Sequence, residues 1–264
     1  MSSVFAELKR TVISKRFVWT LTVLIFFVNS TFLIDSYTGN NIDVFLNVLW
    51  FGNFTRIAPL FCIIPAVMHY CEEQSTLIYR FIESRNSKRI VSDIHAKILA
   101  AGISGGIILA LCIISIAIIC RIGYPIFDST STSQLISFLT AGMFEDIYPS
   151  GNGIFFIMIQ ILIGFVFGFL WSLIGLVISI IFSNKYFCIA MTVIIYNVSN
   201  YCLRLNGLSA IAPETMLIPD GILEYSIGYL FVFQMILISI TWIIGFKLYK
   251  RRYRYDYHAA EHTL

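Results

Sequence analysis

Between Gly153 and Phe182 the chain runs for thirty residues without an Asp, Glu, Lys, Arg or His. An α-helix rises about 1.5 Å per residue, so roughly 20 such residues already cross the hydrocarbon core of a bilayer. Five further runs are comparably apolar. Together they place spans at about 17–34, 57–73, 98–120, 153–182, 186–203 and 227–246. Of the 264 residues 58% are hydrophobic and 12% charged, where a soluble domain carries about 25% charged residues. That leaves too little polar surface for a water-soluble body and no room for a separate soluble catalytic domain. The expected fold is all-α and integral to the membrane: six transmembrane helices in one domain, 1–264. The first run ends in Ile34-Asp35-Ser36-Tyr37 without a small-x-small cleavage site, so it is expected to stay as a helix.

Charge placement gives the orientation. With the N-terminus inside, fifteen of the eighteen Lys and Arg fall on the cytoplasmic side, and only Arg56, Arg121 and Arg204 lie outside. The positive-inside bias therefore expects both termini in the cytoplasm, with 247–264 as a basic tail. One span more or fewer would scramble the split.

The segments between spans differ in kind. Residues 1–16 form an amphipathic pattern, with Val4, Phe5, Leu8, Val12 and Ile13 on one face and Lys9, Arg10, Lys15 and Arg16 around the rest. Such a helix lies at the membrane interface. Segment 35–56 holds Val44 to Phe51, too short to span and too apolar for solvent, and is expected at the outer interface. Segment 121–152 is polar and acidic. Segment 204–226 mixes apolar residues with Pro213, Pro219 and Gly221 and reads as re-entrant-like, two short helices dipping into the outer leaflet between helices 5 and 6.

Inside the spans the polar side chains are amides: Asn29, Gln160, Asn197, Asn200 and Gln234. Intramembrane acids or bases are confined to the span ends. That argues against a proton- or sodium-coupled carrier, which needs a charged or titratable group at mid-depth. Asn197 and Asn200 are candidates for a translocation pathway, set against the plainer role of hydrogen bonding between helices. Gly164, Gly168, Ser172 and Gly175 run at spacings of 4, 4 and 3 along the fourth span. Small groups in such a row let helices approach closely, so the row reads as internal packing or as a dimer or pathway seam. The six cysteines lie in or beside apolar runs without a C-x-x-C pair and read as small core residues. The paired His258 and His262 offer only two ligands, so no metal is expected. No G-x-x-x-x-G-K-[ST] loop, H-E-x-x-H or G-x-S-x-G occurs, so the chain has none of these devices for nucleotide phosphates, zinc or a serine nucleophile. The basic and tyrosine-rich tail suits anionic lipid, and no nucleic-acid partner is expected.

The connection from Glu72 to Lys97 carries the most functional information. Leu77, Ile78, Phe81 and Ile82 share one helical face, Thr76 can cap that helix, and Asn86-Ser87 can end it. A short amphipathic helix held beneath a membrane can receive force from a soluble partner, or can be a plain interfacial connector. Glu73, Thr76, Leu77, Ser87, Lys88, Arg89 and Lys97 followed by Ile98-Leu99-Ala100 stand in the order found in this loop of ABC-2 type transporter permeases, which the chain resembles. Ser75 replaces the family's usual glycine and Arg85 stands where proline is common. The plan of an interfacial helix, six spans and a broken segment before the last span is similar over all 264 residues.

The resemblance implies a permease subunit of an ATP-binding cassette exporter in the plasma membrane, in a bacterium the cytoplasmic membrane. Its partners would be a separate ATP-binding subunit, which would hold ATP and magnesium while this chain holds no cofactor, and a second permease chain, identical or paralogous. The chain would not be an enzyme by itself. Glu73, Thr76, Leu77, Arg80, Phe81, Ile82, Glu83 and Arg85 would form the ATPase-coupling surface. The aromatic and aliphatic content suits an amphipathic or lipid-like cargo such as a peptide or antimicrobial. The alternatives are an ATPase-independent intramembrane processing or immunity factor, which requires paired catalytic residues at one depth, and a membrane scaffold. A neighbouring reading frame for an ATP-binding protein would favour the transporter.

Overall fold

The computed structural model describes residues 2–34, 41–51, 54–75, 90–123, 153–217 and 227–261. Its elements in chain order are α1 (Ser2–Val12), α2 (Lys15–Ile34), α3 (Asn41–Leu46) with a π-helical turn (Asn47–Phe51), α4 (Phe54–Ser75), α5 (Ile90–Gly123), α6 (Gly153–Ile181), α7 (Lys185–Leu205), a 3-10 turn (Ser209–Ile211), α8 (Pro213–Leu217) and α9 (Ile227–Glu261). Among the described residues the secondary structure is helical throughout, with no strand.

Among the described residues five helices, α4, α5, α6, α7 and α9, are long and apolar enough to cross a membrane. A sixth crossing arises if α1 and α2, which meet at a 49° bend, count as one broken span. The chain is thus a helical, membrane-embedded, multi-pass protein. The bend falls at Ile13-Ser14, where the Ser14 hydroxyl accepts a hydrogen bond from the Phe17 amide at 3.1 Å and caps α2. Helices α5 and α9, of 34 and 35 residues, extend well past the apolar runs 98–120 and 227–246. Backbone hydrogen bonding does not stop where apolar side chains stop, and the added turns carry Asp93, His95 and Lys97 in α5 and Lys247 to Arg252 in α9.

Helix α6 is the hub, packed against α4, α5, α7, α8 and α9. Its closest neighbour is α5, and glycines make the approach possible. A methyl group added at Gly105 would lie 2.5 Å from the Gly168 carbonyl oxygen, and one at Gly168 would strike the Gly105 carbonyl in return. Ser172 Oγ donates to the Ala101 carbonyl at 2.7 Å across the same seam. One turn further along, a methyl at Gly175 would press on Ile63 of α4 at 3.0 Å, and Gly164 faces the terminal methyl of Ile113. The small-residue row of the fourth span is therefore filled by α5 and α4 of the same chain.

Segment 41–51, expected at the outer interface, turns its apolar side chains into the protein. Val44, Phe45, Leu46, Val48 and Leu49 are all 0–1% exposed, and α3 packs on α5. Five apolar side chains gain more from a protein core than from headgroups.

Candidate functional site

Two polar assemblies stand at opposite ends of this bundle. The first surrounds the last turn of α4, where segment 76–89 departs. Successive helical residues point about 100° apart, so Glu72, Glu73 and Gln74 reach three different sets of neighbours. Glu72 pairs with Arg16 at the start of α2 and faces Lys185 Nζ at the start of α7 at 3.9 Å. Glu73 accepts from Lys97 Nζ of α5 at 2.6 Å and lies 3.8 Å from Arg10 of α1. Gln74 donates its amide to the Ser179 carbonyl of α6 at 3.2 Å. Lys97 donates also to the Tyr249 hydroxyl of α9 at 3.3 Å. Three consecutive residues thus tie the root of segment 76–89 to α1, α2, α5, α6 and α7, and through Lys97 to α9.

Lys97, Glu7 and Glu73 are the best sheltered charged groups of this cluster, with side chains 13%, 14% and 18% exposed. His69 Nε2 lies 3.3 Å from Glu73 and 3.9 Å from Glu7. The ligand atoms of Glu7, His69 and Glu73 lie within 4.8 Å of one another, close enough to suggest a metal. The chemistry points elsewhere. Lys97 already sits on Glu73 Oε2 and Arg10 approaches both carboxylates, so a divalent cation would have to displace an ammonium from its own counter-ion. Glu7 and Glu73 are thus already partnered by Arg10, Lys97 and His69. A cavity of about 20 Å3 beside Glu7, Thr11, His69, Glu73 and Lys97, walled otherwise by residues such as Ala66, Ala100 and Leu176, has the size for about one water.

The second assembly holds the short helix α8 between α7 and α9. Pro213 opens it at the position where a missing N–H costs nothing. Glu214 accepts from Asn200 Nδ2 at 3.0 Å and from Thr55 Oγ1 at 3.2 Å, and pairs with Arg204 at 3.1 Å. Its own amide donates to Asn200 Oδ1 at 3.3 Å. At the other end of α8 the Leu217 carbonyl accepts from Gln160 at 2.9 Å and the Met216 carbonyl from Gln234 at 2.8 Å. Carbonyls at a helix C-terminus have no partner within the helix, and both glutamines are buried. Beneath α8, Tyr196 donates to the Thr55 carbonyl at 2.9 Å and stands edge-on to Trp171. The segment expected to be re-entrant-like is thus a 3-10 turn and one short helix whose polar backbone is served by side chains from α6, α7 and α9. The remainder, 218–226, lies outside the described residues.

Of the residues expected to couple to an ATPase, Glu73 is at the centre of the first assembly. Thr76, Leu77, Arg80, Phe81, Ile82, Glu83 and Arg85 lie outside the described residues. Gly164, Gly168, Ser172 and Gly175 line the seams of α6 with α5 and α4. Asn200 holds α8, whereas Asn197 is exposed and donates to the Val193 carbonyl of its own helix at 2.9 Å. Asn29 reaches Ser115 of α5 at 3.3 Å. Sequence reasoning missed Glu7, His69, Glu72, Gln74 and Glu214. A usable signal existed for two of them: Glu7 is the sole acid in residues 1–34, and Glu214 the sole acid in 147–219.

Compared with protein families, curated proteins and solved structures, the chain finds no match.

Proposed function

We propose that the chain is the permease subunit of an ATP-binding cassette exporter, with six spans, both termini in the cytoplasm and the connection at 75–90 as the docking surface for a separate ATP-binding subunit. A second permease chain completes the pathway, and the cargo is amphipathic or lipid-like. The observation that carries the reading is the knot at Glu72-Glu73-Gln74. A solvated connector needs no such root, whereas an element that receives force from a moving partner must be fastened to what it moves. Here the ties run to the starts of α2 and α7 and to α1, α5 and α6. Displacing the loop therefore displaces the helix ends together.

The test is to look for an ATP-binding protein in a neighbouring reading frame and to co-purify the two. The chain alone has no ATPase activity, and the pair is recovered as a complex. Phe81→Ala weakens that complex by about 2 kcal/mol, as truncating a buried aromatic anchor does, at unchanged membrane level. Recovery equal to wild type for both Phe81→Ala and Arg80→Glu would show that this loop docks nothing.

A further inference from the structure

Helix α7 is the least buried of the candidate spans together with α9, with 17% of its apolar window covered against 61% for α6. Its outward face is not uniformly apolar. Phe187, Ala190, Ile194, Asn197, Tyr201 and Arg204 are all exposed and recur at spacings of 3, 4, 3, 4 and 3. That is the repeat by which two helices pack side by side at a shallow angle. Asn197 lies twelve residues from the start of the helix and eight from its end, about 18 Å and 12 Å along the axis, well inside the hydrocarbon. One amide hydrogen goes to the Val193 carbonyl. Among the described residues nothing else bonds the side chain, so its second N–H and its Oδ1 point away from the bundle.

The other outward faces differ. Thr22 and Ser239 are exposed too and Ser30 is half-buried, but each hydroxyl has one hydrogen and donates it to a carbonyl of its own helix. The outward face of α9 otherwise carries Tyr229, which has an interaction of its own, and Val232, Met235, Ile236, Ile240 and Ile243. Among the described residues Asn197 is the one amide exposed inside a span. A polar group left in hydrocarbon is costly, and helix association is the usual way of satisfying it.

We propose that the α7 face is the interface with a second copy of this chain, in which the two Asn197 amides exchange hydrogen bonds across a two-fold axis. A carboxamide is its own complement, donor and acceptor together, and in a parallel two-fold pair each row residue meets its own counterpart at the same depth. A single amide amid apolar row positions also fixes register. Ala190 opens space on one side of it. Arg204 on the other side does not oppose closure, because Glu214 neutralises it at 3.1 Å. Where this supplies the second chain of the permease it rests on the transport reading; as an interface it does not.

Disulfide cross-linking of the full chain in native membranes, expressed without any ATPase, tests it. In a Cys202→Ser background, single substitutions Ala190→Cys, Ile194→Cys, Asn197→Cys and Tyr201→Cys give covalent dimers. Ile195→Cys, about 140° round the helix, and Ile236→Cys on α9 give none. In vesicles of increasing lipid content, Asn197→Leu weakens self-association about three- to tenfold, the range of one interhelical polar contact, while Asn197→Gln retains most of it. Cross-links absent or uniform along α7, as for a lipid-facing or paralogue-binding helix, overturn the proposal, and so does wild-type association of Asn197→Leu. An intact dimer that recovers no ATPase would fail the transport reading alone. Recovery of the ATPase without cross-links would fail the interface alone.

Discussion

Exchanging Glu73 for glutamine leaves Lys97 Nζ, now 2.6 Å from Oε2, in a sheltered place without its principal counter-charge. Breaking a largely buried ion pair from one side is costlier than the pair's net worth, because the remaining charge keeps its desolvation penalty. Glu73→Gln is expected to destabilise the protein by about 2 kcal/mol, measured as thermal or denaturant unfolding in detergent. Lys97→Gln on top of it costs less than the sum of the singles, and a strictly additive double-mutant cycle would mean that the two do not interact. Arg10→Ala is the contrast. Its side chain is 59% exposed and its partners are 3.5 Å and 3.8 Å away, so the loss stays within about 0.5 kcal/mol. The sequence made Glu73 legible through its place in a loop pattern, but not its neighbours. Glu7 read as one charge on an amphipathic face, and only the fold brings it to His69, sixty-two positions on.

At the scale of elements, the α5–α6 seam predicts unequal tolerance at neighbouring positions. Gly168→Leu forces four heavy atoms against the backbone of Gly105 and Gly106, which cannot give way as a flexible side chain would. Val166→Leu adds one carbon at a partly buried site. Overpacking costs about 1–3 kcal/mol and more where backbone must move, so Gly168→Leu lowers folded, monodisperse protein on size-exclusion chromatography while Val166→Leu does not. For α8, Gln160→Leu and Gln234→Leu each strip a buried carbonyl of its partner, about 1–3 kcal/mol apiece. With both changed, α8 loosens, read as faster maleimide labelling of Thr215→Cys, which is 1% exposed in the wild type. Unchanged labelling would mean that packing alone holds it. The spans were legible because a bilayer demands long apolar runs. The targets of Gln160 and Gln234 were not. They are backbone carbonyls, 57 and 18 positions away, and a backbone acceptor leaves no mark in the sequence. The buried placing of segment 41–51 was hidden for a related reason, since an apolar stretch reads alike whether it meets headgroups or a protein core.

For the whole molecule, the proposed topology is open to cysteine labelling from either side of the membrane. Positions in 36–55, 123–150 and 205–225 that are reachable at all react from outside, and those in 75–95 from inside. External labelling within 75–95 would invert the bundle and remove the coupling reading with it. The knot at the end of α4 also bears on how the chain comes into being. A ribosome delivers it N-terminus first, and the partners of Glu73 arrive at positions 10, 69 and 97. All have emerged once α5 has, before the hub helix α6 or the amides of α6 and α9 exist. Tyr249, bonded to Lys97, is made 152 positions after it. The root of segment 76–89 can therefore be moored early in synthesis, before most of its neighbouring helices exist, and closed over only when α9 is laid down.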